Sequence, residues 1–423
     1  MTRATTARGG PATIVFIVAC QSLQALSVGA ISLFLPLIRS DLDITFTQSG
    51  AIAAVSLVVF AAMQIPAGWL ADRFGAKLMF SSGLLGVLAM TCALAVFDSY
   101  GLILASQAAS GFFRSLVFIP GMLLITHEFA ENRRATAMGL YVAGGFSSNV
   151  VLSTVAPLLV DTWGWRAILL VCSAGGVLVV MAYILVGGPG PRAKGAGSLP
   201  LRSLVAMLRS PIMWGAGWLQ IVRFGLANGM IFWLPTILVD DHGMTLREAG
   251  LVVAMAALLT APANALGGYV SDRLRAPLTL IAVSLVVLVS STTVVALVRD
   301  PVALCVAIAV QAVFVQVYFG PLFALPPRFL GAETAALTNG YSNLMANIGG
   351  LCAVWALGAV RDATGSFTWG LLGLAGLGAS GVAVAISLRR GYPDPRHADR
   401  ADARREGVRA VDLDRSVEIR RPE

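Results

Sequence analysis

The chain has 423 residues, of which 57% are hydrophobic and only 12% charged, with a mean hydropathy of +0.80 and a formal net charge of +8. Soluble globular chains carry roughly 25% charged residues, so a soluble enzyme or binding domain is excluded and an integral membrane protein is expected. The positive charge does not point to nucleic acid, because the basic residues are distributed according to the sides of a membrane rather than gathered in a patch.

Apolar runs of about 20 residues, each able to cross ~30 Å of hydrocarbon as a helix, predict twelve spans: 12–38, 46–69, 77–97, 101–127, 134–160, 164–187, 211–239, 247–270, 276–298, 301–326, 334–360 and 367–388. Arg3 and Arg8 precede the first, but its apolar stretch runs on to Ile38, past the roughly 7–15 residues of a signal-peptide core, so it is read as a retained helix. Cys20, Cys92, Cys172, Cys305 and Cys352 all fall inside spans, where they read as small apolar packers rather than a disulfide framework or a metal site. Six spans make an N-terminal unit, 1–187; a basic, Gly/Pro-rich linker, 188–210, leads to a second unit, 211–388. The tail 389–423 mixes both charge signs with almost no aromatic residues, a composition expected to stay disordered or partly helical. With the N-terminus inside, 23 Lys/Arg fall on the cytoplasmic side, while Arg39, Arg166, Arg247, Arg299 and Arg361 fall on the other. That bias places both termini of a multi-pass inner-membrane protein in the cytoplasm.

The chain is also duplicated. Gly68-Trp69-Leu70-Ala71-Asp72-Arg73-Phe74-Gly75-Ala76-Lys77 lies between spans 2 and 3, and Gly268-Tyr269-Val270-Ser271-Asp272-Arg273-Leu274-Arg275 lies between spans 8 and 9, about 200 residues later. The offset recurs at Pro36/Pro235, Pro120/Pro321, Phe129/Phe329, Glu131/Glu333 and Asp161/Asp362, so the repeat covers a half-chain. The first segment resembles the loop signature G-x-L-A-D-R-x-G-x-K of the major facilitator superfamily, and the likeness extends over nearly all of 12–388. It implies an all-α membrane protein of twelve transmembrane helices in two pseudo-symmetric six-helix bundles. It also implies a conformational gating role for Gly68, Asp72, Arg73, Gly75, Lys77, Asp272 and Arg273, in which the Asp72 carboxylate pairs across the half-interface in the outward-facing state and lets go as the halves rock. The alternative is a structural turn in which the glycines supply positive φ. The chain departs from the family's proton-antiporter pattern at span 4, where Gln107 stands before Gly111, and at span 5, where Ser148-Asn149 precede Trp163-Gly164-Trp165.

A charge at the bilayer centre is costly and marks function. All 22 Asp/Glu and the three His lie in loops, at span ends or in the tail, leaving Arg114 in span 4 and Arg223 in span 7 as the mid-span charges. Gln107, Ser110 and Arg114 share one face of span 4, and Gln220 and Arg223 share one of span 7. In the family, spans 1, 4, 7 and 10 line the cavity, so Gln24, the repeat mate of Arg223, and Gln316 and Tyr318 of span 10 join the expected substrate site. Asn339, Asn343 and Asn347 form a row on span 11 that either faces the cavity, with Asn343 touching substrate, or bonds between helices. Phe112, Phe113, Phe118, Trp218, Phe224 and Phe319 flank the site as substrate contacts or as packing. Two arginines at one depth without a carboxylate repel each other, and an anion between them relieves both costs. The Arg223 region and the stretch Gly340-Tyr341-Ser342-Asn343 resemble the family's organic-anion branches, including the oxalate/formate exchangers.

The expectation is therefore a non-enzymatic transporter, monomeric and without cofactor or bound metal, whose partners are a small anionic substrate and the lipid bilayer. A carboxylate moved by exchange or facilitated diffusion is favoured over nitrate/nitrite or phosphate exchange. An intramembrane enzyme lacks a buried acid or base, and a non-transporting sensor lacks an appended signalling domain.

Overall fold

The computed structural model describes residues 10–129, 134–188, 190, 209–274, 276–330 and 335–391. Most of the linker 188–210, the tail from 392, Glu131, Glu333 and the side chains of Asp72, Asp272 and Asn339 lie outside the described residues. Every regular element among the described residues is helical. In hydrocarbon each backbone N–H and C=O needs a partner, and a single segment can supply all of them itself only as a helix.

The chain forms α1 (Gly10–Leu42), α2 (Phe46–Phe74), α3 (Ala76–Val96) and α4 (Tyr100–Glu128). The helix Arg134–Val186 leaves helical geometry at Gly164 (φ 71°, ψ 157°) and so comprises two arms, α5 (134–163) and α6 (165–186). There follow α7 (Pro211–Thr236), prolonged by a π turn at Ile237–Asp241, then α8 (Leu246–Leu274), α9 (Pro277–Leu297), α10 (Pro301–Val317), α11 (Phe319–Leu330), α12 (Ala335–Thr364) and α13 (Phe367–Gly391). Among the described residues 10 helices are long and apolar enough to cross a membrane, one of them the merged segment Ala143–Val186. Counting its two arms separately and adding α8, which has 29 residues, brings the spans to twelve; α10 and α11 together make one.

Three local features differ from the sequence reading. The segment from Gly68 to Phe74 is not a turn: α2 stays helical through Phe74, and only Gly75, at φ 95°, leaves the helix before α3 begins. At 29 residues α2 is about 44 Å long, more than the ~30 Å hydrocarbon core. Its last turns stand clear of lipid, where Asp and Arg carry no desolvation cost and the helix simply continues. Positive φ explains the glycine at 75; at 68 no atom lies within 4 Å of where a Cβ would be. The turn expected between spans 5 and 6 shrinks to Gly164 alone, and span 10 breaks at Tyr318 (φ −99°, ψ 6°).

Two hydrophobic clusters lie within the first half, around Phe34, Ile52 and Trp165 and around Phe80, Tyr141 and Tyr183. A third, around Trp233, Leu285 and Phe367, fills the second half and takes in Leu35 of α1. The halves meet where α2 packs on α12, α5 on α8 and α1 on α7. The backbones come close at α2 and α12, where a Cβ on Gly358 would stand 2.4 Å from the Phe46 carbonyl oxygen and one on Gly50 would stand 2.9 Å from that of Val354, and at α5 and α8, where a Cβ on Gly250 would stand 2.3 Å from the Ser153 carbonyl oxygen. Small residues let backbones approach in a bilayer, where apolar side chains gain nothing by leaving lipid.

One end of the bundle, the end away from the described chain termini, is sealed across the halves. Arg39 Nη2 donates to Asp240 at 2.9 Å, and Ser32 Oγ donates to the carbonyls of Ile231 and Phe232 at 2.9 and 2.7 Å. The Asp362 carboxylate accepts from the backbone N–H groups of Phe46 (2.9 Å) and Thr47 (2.6 Å), capping α2 from the other half. The Phe46 ring lies under the guanidinium groups of Arg39 (4.1 Å) and Arg361 (5.0 Å), and Arg361 pairs with Asp241 at 3.0 Å. The α2–α12 seam extends from there to the hydrogen bond from Asn343 Nδ2 to Gln64 Oε1 (3.0 Å), about 27 Å along α2.

Because Gly358 has no room for a side chain, Gly358→Val is expected to prise this seam open. Maleimide labelling of a cysteine placed at buried Ser32, in a background freed of native cysteines, should rise several-fold; unchanged labelling would show that the close approach does not hold the end shut.

Candidate functional site

Arg223 sits midway along α7 and is 4% exposed. Its Nε donates to Gln220 Oε1 at 3.1 Å, one helical turn earlier. Its guanidinium lies over the rings of Phe319 (4.7 Å), Phe224 (5.5 Å) and Phe323 (5.9 Å), cation–π contacts that partly replace the water lost on burial. Phe319 and Phe323 are brought there by the break at Tyr318, where α10 ends and α11 begins. Gln220 Nε2 and the Tyr318 hydroxyl are buried close by with no hydrogen-bond partner.

Arg114 sits midway along α4 and is half-buried. A Cβ on Gly111 would stand 2.3 Å from the Ser56 carbonyl oxygen, so α4 and α2 touch backbone to backbone. That approach brings the Ser56 hydroxyl within 3.2 Å of Arg114 Nη1 and the Phe60 ring within 5.1 Å of the guanidinium carbon. Arg114 Nε is buried without a partner. At 1.5 Å per residue, Arg114 is about 21 Å from Tyr100 and Arg223 about 20 Å from Thr236, both measured from the sealed end. The two arginines thus occupy one depth on different helices and touch different neighbours. Among the described residues, the ion pairs of Arg39, Arg166 and Arg361 with Asp240, Asp41, Asp98 and Asp241 all lie at helix ends, and no carboxylate pairs with Arg114 or Arg223.

The remaining expected site residues divide. Gln24, Gln107 and Ser110 are buried on α1 and α4, and Gln316 is half-buried on α10. Asn343 is engaged by Gln64, and its carbonyl accepts from Asn347 Nδ2 at 2.8 Å, so both asparagines take part in helix bonding. Of the flanking aromatics, Phe224 and Phe319 face Arg223. Phe112 and Phe113 meet edge to face, Phe118 packs on Phe60 and Tyr141, and the Trp218 indole donates to Ser380. Lys77 caps α6 within its own half, donating to the carbonyls of Ile184 (3.0 Å) and Gly187. Arg73 is exposed and lies over Trp69 and Phe74 of its own helix, and Arg273 donates to Tyr269 at 2.9 Å. Gly75 turns the backbone between α2 and α3 while Gly68 lies within α2, and the carboxylates of Asp72 and Asp272 lie outside the described side chains.

Sequence reasoning missed the stripe Ser56, Phe60 and Gln64 on α2. Its signal was present, since spacing of i, i+4 and i+8 puts all three on one face, but α2 was not counted among the cavity helices. It also treated Arg39, Phe46, Asp240, Asp241, Arg361 and Asp362 as ordinary loop and helix-end residues. Beside them His242 has its pKa lowered, mainly by burial and also by Arg299, with Asp241 opposing. It is therefore neutral at pH 7, and the sealed end is held by arginine–aspartate pairs rather than by a histidine cation.

The chain resembles the nitrite extrusion protein of Bacillus subtilis, 23% identical over 86% of this chain and 93% of the relative. It resembles the probable galactarate/D-glucarate transporter GudP of the same organism, 24% identical over 83% and 84%. It also resembles human monocarboxylate transporter 11, 27% identical over 88% and 82%. Among solved structures, a bacterial homologue of the human lysosomal transporter Spinster in an inward-facing and occupied conformation superimposes with a TM-score of 0.78 at 16% identity, covering 92% of this chain and 98% of that one. The Major Facilitator Superfamily model matches residues 17–354 and 234–422, and on that match and that fold this multi-pass membrane chain belongs to the major facilitator superfamily of transporters.

Proposed function

We propose that the protein is a secondary transporter that carries a small anion, most suitably a carboxylate, by alternating access, with Arg114 and Arg223 each lending a cation from one half. The observation that carries this reading is a mid-membrane pair of guanidinium groups. Each is held by a neutral hydrogen-bond partner and an aromatic ring, and neither is matched by a carboxylate among the described residues. Burying a charge is tolerable only where something compensates it, and an anionic cargo does so while leaving the site empty of fixed negative charge. The relatives' names, which specify nitrite, aldarates and monocarboxylates, support an anion. Aromatic rings beside both guanidiniums favour an organic anion with apolar surface; the nitrite relative favours a small inorganic oxyanion in the same site.

In this reading residues 1–187 and 211–388 are the two bodies that rock, the sealed end faces outward, and both termini lie in the cytoplasm by the charge bias of the loops. The signature from Gly68 to Lys77 then works at the inner end. Lys77 steadies α6 in its own body, while Asp72 and Arg73, on the last turn of α2, are placed to meet the other body when the inner end closes.

Arg114→Gln and Arg223→Gln should each abolish uptake into proteoliposomes and leave the melting temperature unchanged or raised, since each removes an uncompensated buried charge. Arg→Lys should fail as well if the planar fork of donors is used. Normal uptake by both Gln variants would sink the anion site. A melting-temperature panel of nitrate, nitrite, formate, lactate and D-glucarate separates the organic from the inorganic reading, since a ligand raises the melting point of the state it binds.

Asp72→Asn is expected to slow turnover while leaving substrate affinity nearly intact, because residue 72 stands beyond the hydrocarbon core and far from Arg114. A large loss of affinity would place it in the site instead.

The driving force follows from what can titrate. All acids and histidines lie in loops, at span ends or in the tail, and an arginine stays protonated throughout the physiological range. His127 and Glu128 are on α4, but about 20 Å from Arg114, too far for proton and substrate to compete directly. Anion exchange or facilitated diffusion is therefore expected: counterflow should persist in the presence of a protonophore. Uphill accumulation of a permanently ionised substrate driven by a pH gradient alone would contradict it.

A further inference from the structure

The two arginines are not equivalent in their surroundings. Arg114 has one Nη tied to Ser56 and its Nε buried without a partner, but it is half-buried, with one aromatic ring, Phe60, beside it among the described residues. Arg223 is nearly inaccessible, and three kinds of donor lie in its neighbourhood. Its own Nη groups have no hydrogen-bond partner among the described residues, while Gln220 Nε2 and the Tyr318 hydroxyl are buried and unpartnered. Gln220 and Tyr318 are both 0% exposed. The nearby acceptor, Gln220 Oε1, is already used by Arg223 Nε. Tyr318 owes its position to the break between α10 and α11: the residue after it, Phe319, stacks on the guanidinium, and the hydroxyl lies within electrostatic reach of Arg223.

A buried hydrogen-bonding group left unsatisfied destabilises the fold, so two beside a buried cation are unfavourable unless a ligand meets them. A cluster of donors lacking an acceptor has the chemistry of an anion hole. We infer that the second half alone forms the primary anion pocket, with Arg223, the Gln220 amide and the Tyr318 hydroxyl all donating to the bound oxyanion. Arg114 then acts chiefly as the second cation that the first half brings to it during the transport cycle. The inference rests on the anion-transport reading and adds to it an order of importance and a selectivity element. Tyr318 supplies a directional donor, which an oxyanion with lone pairs in fixed directions satisfies better than a spherical halide. Phe319, Phe323 and Phe224 wall the pocket with flat apolar surface, which suits the hydrocarbon part of a carboxylate.

The test uses the full-length protein in detergent, with nitrite and D-glucarate as probes and chloride as the spherical control. In the parent, one of the two probes should raise the melting temperature more than chloride does. Tyr318→Phe should melt higher than the parent without anion, having lost an unsatisfied hydroxyl, yet bind the stabilising probe about tenfold or more weakly, as expected for losing one bond to a charged group. Arg223→Gln should abolish the anion-induced shift. Arg114→Gln should retain a measurable shift while failing to transport. Unaltered probe affinity in Tyr318→Phe, or equal loss of binding in Arg114→Gln and Arg223→Gln, would overturn the one-sided pocket while leaving the anion-transport reading standing. No shift in the parent with either probe would overturn both.

Discussion

The cost of placing charge in hydrocarbon sorts this molecule into zones. At the sealed end, where water reaches the helix ends, Arg39 pairs with Asp240 across the halves, and Arg361 and Asp241, paired within the second half, are only 15% and 17% exposed. Partly buried pairs of this kind are screened less than the surface pairs worth ~0–1 kcal/mol. In the middle of the bundle the same cost would be prohibitive for an unshielded ion, and the two arginines there are shielded by rings, a hydroxyl and an amide rather than by counter-charges. A carboxylate partner would have stabilised the empty site at the expense of competing with any anion. No such carboxylate pairs with either arginine among the described residues.

The two ends of the sequence repeat have diverged in a way that matters for the seal. Asp362 caps α2 across the halves, but its repeat mate Asp161 is exposed. The equivalent start of α8 is instead satisfied locally: the Thr245 backbone N–H and hydroxyl donate to Glu248, and the Glu248 backbone N–H donates to Thr245. A helix N-terminus offers unsatisfied N–H groups and a partial positive charge. On α2 those groups are available to the other half as a docking point, even though Thr45 and Gln48 also form a capping box there. The seal is therefore anchored on one side of the pseudo-symmetry axis, around Phe46, and closed on the other by packing of α5 against α8.

Much of the architecture was readable from the chain because hydropathy and duplication are strong, long-range signals. Twelve apolar runs, the 200-residue offset and the family signature all point to the same fold. Boundaries were less readable. Gly68 to Phe74 looked like a turn because it is polar and glycine-flanked, yet polarity marks the edge of the membrane and not the end of a helix, and α2 crosses that edge unbroken. The break at Tyr318 could not be seen either, since Gln316-Val317-Tyr318-Phe319 carries neither a proline nor a glycine before Gly320. At the site, the arginines stood out as isolated charges. Their immediate partners split by sequence distance: Gln220 lies one turn from Arg223, whereas Ser56 and Phe60 lie more than fifty residues from Arg114 and meet it only because Gly111 lets α2 and α4 touch.

The repeat also shows how an asymmetric site can arise in a symmetric frame. Gln24 and Arg223 occupy equivalent places, each twelve residues before a proline, Pro36 or Pro235. An amide can bond to an oxyanion but cannot offset its charge, whereas a guanidinium does both. Placing the cation on the second half alone at this position, and the other cation on α4 of the first, leaves no two like charges in symmetric opposition. Their mutual repulsion is spread over different helices, each with its own aromatic shield. A transporter whose halves must separate and re-approach around a mobile anion gains from that arrangement: when the anion leaves, neither guanidinium faces a mirror copy of itself across the axis, and the empty bundle can close without first finding a counter-charge.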